Sequence, residues 1–383
     1  MTKILTGIGS LSKLAEIRAE FNAKTVMLVT GKASYAASGA KSIVNTALQD
    51  DTVVQFSDFD VNPKIEDAER GVALAIEAGV DLIVGVGGGS VMDMAKLIKA
   101  LFTAPDKSKE LAKGELAMTD PGIPMVLVPT TAGSGSEATH FAVVYIGLEK
   151  YSLASQLLLP DGVILDGSLI ASATPYQMAC NGLDALAQAI ESSWAAGSTE
   201  QSREYSFRGV SLCAKYLKDV LVPGVGDEAL QGMMEASNLA GKAINISKTT
   251  AAHAWSYSIT SHYGVPHGHA VWLTLPRIFE MHATASADDV TDPRGIVHFN
   301  EVMARLMGIW GIGSATDSAR HLEAYLRDIK VESDMSIIGA NTEEKREFLS
   351  KQVNMQRMSN NPVGLTQEQI RQVFNLKPLS YTL

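Results

Sequence analysis

Asp184 and Gln188 stand four positions apart in Asn181-Gly-Leu-Asp-Ala-Leu-Ala-Gln-Ala-Ile-Glu-Ser192. Four residues span about one helical turn, so a helix here projects both side chains from one face, among Ala, Leu and Ile. An unpaired carboxylate on such a face is costly, so Asp184 requires a cation, a dipole or a metal. His253 and His267 lie fourteen positions apart. The first falls within a helical run over 250–263; the second follows Gly264-Val265-Pro266, which ends that run and lets the chain return. One carboxylate, two imidazoles and an amide oxygen can complete a ligand set for Fe2+ or Zn2+ and leave a position for substrate. Spacing alone does not decide, because each His also fits a structural or surface role.

A second chemistry is written in glycine. Asp81-Leu-Ile-Val-Gly-Val-Gly-Gly-Gly-Ser90 runs an apolar strand into a turn, and Val91, Met94, Ala95, Ile98, Leu101 and Phe102 then follow helical spacing. Such a turn brings backbone close to a ligand and frees the first helical N–H groups, which with the helix dipole favour a pyrophosphate. A tight strand-to-helix turn without a ligand has the same appearance, and the form is not the usual G-x-G-x-x-G. Pro129-Thr-Thr-Ala-Gly-Ser-Gly-Ser-Glu-Ala-Thr139 adds five hydroxyls and two glycines after another strand, where open α/β sheets bind ligands. Two such loops after two parallel strands favour a nucleotide site over a pair of solvated turns.

These residues need a scaffold, and the first ~165 residues supply one by alternating short apolar strands with helices. Strands are expected over 25–29, 53–56, 82–86, 125–128 and 163–165, rich in Val, Ile and Leu as strands covered on both faces should be. From about Ser168 helical patterns dominate. Thr174-Pro-Tyr-Gln177 has a hydroxyl N-cap, Pro at the first helical position and Gln at the third, and helical spacing continues over 200–220, 227–245 and 250–263. The expected fold is an α/β dinucleotide-binding domain over 1–166 and a helical metal- and substrate-binding domain over 167–383.

Bulk composition narrows the partners. In 383 residues, 42 acidic side chains against 32 basic ones give a net charge of −10, which argues against a nucleic-acid partner. No apolar run approaches the ~20 residues that span a bilayer, and the opening segment lacks the apolar stretch of a secretory signal. The only two cysteines, Cys180 and Cys213, read as buried small hydrophobes rather than nucleophiles and suit a reducing cytoplasm.

The segments Gly87-Gly-Gly-Ser-Val-Met-Asp-Met-Ala-Lys96, Pro129–Thr139, Asp184-Ala-Leu and Pro266-His-Gly268 occur in an order and spacing that resembles the iron-containing (group III) alcohol dehydrogenases over nearly the whole chain. The resemblance implies a dehydroquinate-synthase-like fold, a homodimer, and hydride exchange between NAD or NADP and a small alcohol or aldehyde. It implies that Gly88, Gly89 and Ser90 cradle the pyrophosphate, that Thr130, Thr131, Ser134 and Thr139 contact the cofactor, and that Asn62 lies near the nicotinamide. The family's metal ligands, one Asp and three His, fall on Asp184, Gln188, His253 and His267. Gln188 thus stands where an imidazole is expected. It keeps the formal charge but offers a poorer donor, so a retained, weaker site is expected, with a metal-free enzyme as the competing outcome. His269 is a candidate replacement ligand or substrate contact. Thr30-Gly31-Lys32 carries no acid to repel a 2′-phosphate, which leaves both cofactors open.

The stretch from His253 to His269, with Gln188 and Asn360-Asn361-Pro362, resembles a subgroup that includes phosphonoacetaldehyde reductases, with oxidases of the terminal hydroxyl of the acidic sugar Kdo close by. Both substrates are anionic, and Lys248, Arg277 and Arg357 are candidate anion contacts. The expected mechanism is Lewis-acid catalysis, with Asp184, His253 and His267 as the catalytic metal ligands and proton relay open among His262, His269 and the cofactor ribose. A dehydroquinate-synthase-like lyase and a non-catalytic nucleotide binder are the rival readings, since fold does not decide reaction.

Overall fold

The computed structural model describes residues 2–376. The chain forms two compact units, one of Met1–Thr174 with Val225–Gly241, the other of Pro175–Gly224 with the chain from Lys242 onward.

The first unit is built on a six-stranded sheet of β1 (Lys3–Thr6), β2 (Thr25–Thr30), β3 (Thr52–Phe56), β4 (Leu82–Gly87), β5 (Met125–Pro129) and β8 (Gly162–Leu165). Their order is β1-β8-β5-β4-β2-β3, and every pairing is parallel. The central β4 and β5 are wholly buried, whereas the edge strands β1 and β3 expose most residues. The five expected strands all form, and three more join them. β1 is only four residues long, and the antiparallel hairpin of β6 (Phe141–Ile146) and β7 (Glu149–Ala154) turns through Gly147 at φ 61°. β6 buries alternate residues, Ala142 and Val144, the period-2 signal of a half-covered strand.

In-register pairing sets Gly87 opposite Pro129, and the Thr130 N–H bonds the Gly87 carbonyl at 2.9 Å. The glycine turn and the hydroxyl-rich loop therefore emerge side by side. Lys96, wholly buried on the helix Gly89–Phe102, fastens the second loop. Its ammonium donates to the Ser136 carbonyl (2.5 Å), Thr139 Oγ1 (2.9 Å), the Phe141 carbonyl (3.0 Å) and Ser136 Oγ (3.2 Å). A buried ammonium needs such acceptors to offset lost hydration, so the ion dictates the loop's path.

In the second unit helices replace strands; among the described residues no strand follows Leu165. The helices Pro175–Trp194, Glu200–Tyr216, Asp227–Ser247 and Ala251–Tyr263 form where periodicity places them, and His267–Trp272 is a short helix that periodicity does not mark. Asn360 knots the loops of the second unit. Its side chain accepts from the Gly197 N–H (2.9 Å) and donates to the carbonyls of Ser247 (2.7 Å) and Thr249 (3.0 Å). No helix of the described residues is long and apolar enough to cross a membrane.

His282 packs edge-on against Trp194 (ring centroids 4.5 Å) and Phe299 (5.7 Å), and Asn361 Nδ2 donates to its Nε2 at 3.1 Å. Burial pushes its pKa down to about 3 against a weak opposing pull from Glu191, so the ring is neutral in the fold. The unfolded chain takes up this proton below about pH 6.5 and the folded chain does not until near pH 3. Stability carried by the neutral ring is therefore present above pH 6.5 and falls by about 1.4 kcal/mol per pH unit on acidification. Urea unfolding between pH 6.5 and 4.5 is expected to show a slope shallower by about that amount in His282→Gln; equal slopes in both proteins would refute a neutral His282.

Candidate functional site

The helix Pro175–Trp194 places Asp184, Gln188 and Glu191 on one buried face, at 8%, 5% and 0% exposure. Glu191 is the anchor. Its carboxylate accepts from the Thr250 hydroxyl (2.7 Å), the Ala252 N–H (2.8 Å) and Nδ1–H of His253. Thr250 in turn accepts from the Trp194 indole N–H at 2.9 Å. With Nδ1 committed to Glu191, His253 turns Nε2 toward Asp184 Oδ1 at 3.5 Å. A carboxylate behind an imidazole fixes its tautomer and raises its basicity, the arrangement common behind metal-ligating histidines. Sequence reasoning missed Glu191; its signal was an acid seven positions after Asp184 on the same apolar face.

His267 reaches the cluster because Gly268 lets its helix touch Pro175–Trp194. A Cβ at Gly268 would lie 2.0 Å from the Cys180 carbonyl and 2.7 Å from the Asp184 nitrogen. The Trp272 indole N–H adds a bond to the Leu183 carbonyl at 2.8 Å. His267 Nε2 stands 3.8 Å from Asp184 Oδ1, and its ring stacks on Tyr257. Asp184, His253 and His267 thus present ligand atoms all within 4.8 Å of one another.

The donor set fits a cation. Asp184 Oδ1, Gln188 Oε1 and His253 Nε2 are buried and have no hydrogen-bond partner, a costly state unless something else satisfies them. Burial alone would raise the Asp184 carboxyl; the nearby His267 and His253 and a hydrogen bond from the Gln188 amide outweigh it and hold the group below its ordinary value. Burial likewise opposes charge on His253, yet the carboxylates of Glu191 and Asp184 lift it to about 9. Two buried carboxylates around one imidazole create a potential that favours positive charge.

The remaining candidates sort by their partners. His269 has both ring nitrogens engaged, Nδ1 accepting from the Tyr176 hydroxyl (2.8 Å) and Nε2–H donating to the Glu332 carbonyl (2.6 Å). It therefore has no nitrogen left to replace Gln188. His262 is exposed and hydrogen-bonds the Ser258 carbonyl one turn back. Both cysteines are buried, and burial raises their thiols to about 11 for Cys180 and about 12 for Cys213, so neither supplies a thiolate.

In the first unit, a Cβ at Gly88 would meet Thr131 at 3.3 Å, and one at Gly89 would meet Ser134 Oγ at 3.0 Å. The two loops thus face each other at a distance only glycine allows comfortably, and the helix Gly89–Phe102 opens with the amides of Gly89 and Ser90, since those of Val91 and Met92 already bond the Gly88 carbonyl at 2.9 and 3.1 Å. Ser90 Oγ lies 3.5 Å from the amide of Asn62, itself at φ 67°. These residues gather around one helix N-terminus, the geometry of a phosphate cradle. Thr139 does not join them. It is 1% exposed, accepting from Lys96 and donating to the Ser136 carbonyl, so it braces the loop from within. No acid follows β2 locally, but Asp58 beyond β3 reaches Lys32 at 3.4 Å.

Residues 1–167 match the family described as iron-containing alcohol dehydrogenase, and residues 178–377 match its C-terminal part. A phosphonoacetaldehyde reductase of Streptomyces viridochromogenes is 34% identical over 69% of this chain and 69% of its own. A sulfoacetaldehyde reductase of Bilophila wadsworthia is 24% identical over 96% of this chain and 95% of its own. The crystal structure of a sulfoacetaldehyde reductase from Bifidobacterium kashiwanohense in complex with NAD+ superposes with a TM-score of 0.85 at 27% identity, covering 98% of this chain and 96% of that one.

Two substitutions test how the cluster is held. Glu191→Gln should weaken divalent-metal affinity by about 10- to 100-fold in chelator competition; unchanged affinity would remove Glu191 from the site. Gly268→Ala should force the His267 helix outward, lowering both thermal stability and metal occupancy, and a normally loaded, equally stable variant would contradict the close packing.

Proposed function

This chain belongs to the iron-containing alcohol dehydrogenase family, and on that premise we propose that it is a metal-dependent reductase of a small anionic aldehyde such as phosphonoacetaldehyde, linked to NADH or NADPH. The observation that carries the reading is the convergence of ligand atoms of Asp184, His253 and His267 within 4.8 Å of one another, with Asp184 Oδ1 and His253 Nε2 buried and without a hydrogen-bond partner. Similarity to reductases of phosphonoacetaldehyde and sulfoacetaldehyde supports the substrate class.

Asp184, Gln188, His253 and His267 would hold Fe2+ or Zn2+, which supplies a Lewis acid for a carbonyl oxygen while a bound nicotinamide supplies hydride. The chain's own residues prepare that chemistry. Asp184 stays ionised, Glu191 holds His253 by Nδ1–H and so leaves Nε2 as the nitrogen that ligates once a cation displaces its proton, and Gln188 both steadies Asp184 and offers Oε1. Tyr176 and His269 form a hydroxyl–imidazole pair on the same helices; it holds a proton at the Tyr176 oxygen and is the proposed relay for the proton that the alcohol product requires. Gly88, Gly89 and Ser90 with Thr130, Thr131 and Ser134 would receive the cofactor phosphates, with Asn62 held beside them by Ser90. Lys32 is paired with Asp58, so the Thr30-Gly31-Lys32 turn admits either cofactor by charge.

Metal analysis of purified protein should find about one Fe or Zn per chain, with aldehyde-dependent NAD(P)H oxidation lost on chelation and restored on reloading. Asp184→Asn should lose the metal and slow turnover by on the order of 10³-fold. Full activity in a metal-free preparation would overturn the reading.

A further inference from the structure

Three cations of the second unit differ in their surroundings. Arg277 is already balanced, its guanidinium pairing with Glu323 at 3.1 Å and Glu280 at 3.4 Å. Arg357 is half-buried, and its guanidinium has neither carboxylate nor hydrogen-bond partner among the described residues. Lys248 closes the helix Asp227–Ser247 at φ 65°, its N–H on the Ile244 carbonyl at 3.0 Å, the left-handed position that commonly ends a helix.

Asn360 braces the loop that follows. Its side chain grips the carbonyls of Ser247 and Thr249, on either side of Lys248, while its own N–H bonds the Arg357 carbonyl at 3.2 Å. One asparagine thus fixes both cationic positions together. Burial lowers the Lys248 pKa, and the charge of Arg357 lowers it further. Lys248 also lies five residues before His253, on a segment pinned to the metal cluster through Thr250 and Ala252 on Glu191. At roughly 3.5 Å per extended residue that bounds its Cα to within about 18 Å of the His253 Cα, and the helical turn from Ala251 shortens the span.

We propose that Lys248 and Arg357 form a two-cation subsite that holds the tetrahedral oxyanion head, phosphonate or sulfonate, of the aldehyde whose carbonyl end faces the Asp184–His253–His267 cluster. This assignment rests on the reductase reading above. A guanidinium fork matches two oxygens of such a head and an ammonium adds a compact charge. Like charges held together become favourable when an anion joins them.

The test uses Lys248→Gly, which removes the charge while suiting the left-handed backbone, and Arg357→Gln, on metal-loaded enzyme. The ratio of kcat/KM for phosphonoacetaldehyde, and separately sulfoacetaldehyde, to that for butanal should fall by about 10- to 100-fold in each variant, mostly through KM. Arg357→Lys should recover part of the loss. The acid with the larger drop identifies the head group. Methylphosphonate binding, followed by calorimetry, should weaken in parallel. Equal losses for butanal and the anionic aldehydes would overturn the subsite, since a structural role lowers all substrates alike. Aldehyde turnover without methylphosphonate binding to the wild type would overturn it too, leaving the reductase reading intact. Methylphosphonate binding that both variants abolish, in an enzyme that reduces no aldehyde, would support the subsite and overturn the reductase reading instead.

Discussion

A carboxylate with no solvent exposure has to be answered by its surroundings, and Glu191 is such a carboxylate in the middle of the helix Pro175–Trp194. Removing an ion of this size from water costs several kcal/mol after relaxation. Three donors repay that loss, and each comes from the segment that opens the helix Ala251–Tyr263. The answer to one buried charge therefore docks one helix on another and sets the tautomer of His253. That tautomer aims Nε2 at Asp184, and the small side of Gly268 then allows His267 to close the group.

The first unit solves a related problem with the opposite sign. Lys96 is a buried ammonium on the helix that leaves the glycine turn, and its acceptors are all on the loop or strand that follow β5. Asp93, one turn earlier, accepts from Ser136 Oγ at 2.8 Å and from the Val143 N–H at 3.2 Å. Burial raises the Asp93 carboxyl, while the neighbouring Lys96 pulls it back. The hydroxyl-rich loop is thereby held in one shape before any ligand arrives, which lowers the ordering cost of binding. In both units the residues nearest the chemistry are placed by buried ions behind them.

On the metal-site reading proposed above, Gln188 is the weaker donor of the set. Its amide steadies Asp184, and its free oxygen remains directed at no protein group. The neighbouring His269 cannot substitute, because Tyr176 and the Glu332 carbonyl hold both of its nitrogens. On that reading, any strengthening of the ligand set falls to Glu191, whose charge makes His253 a better donor.

Much of this was legible in the chain alone, for a physical reason. Helical period and strand alternation record which face of each element is buried, so the five central strands, the helices around 175–194 and 251–263, and the one-turn spacing of Asp184 and Gln188 follow from local pattern. Short glycine turns carry their own conformational meaning, and the strand-to-helix turn at Gly87, Gly88 and Gly89 could be marked without a fold. What local pattern does not carry is pairing between distant residues. Glu191 meeting His253 and Thr250, Lys96 meeting Ser136 and Thr139, Asp58 meeting Lys32, and Asn360 gripping both sides of Lys248 are contacts across 26 to 113 positions. The same holds for the placement of Val225–Gly241 with the first unit, where the Gly241 backbone touches Gly135. Residue types set which groups needed partners; only the tertiary structure decided which partners they received, because a buried charge is satisfied by whatever the packed helices bring within hydrogen-bond reach.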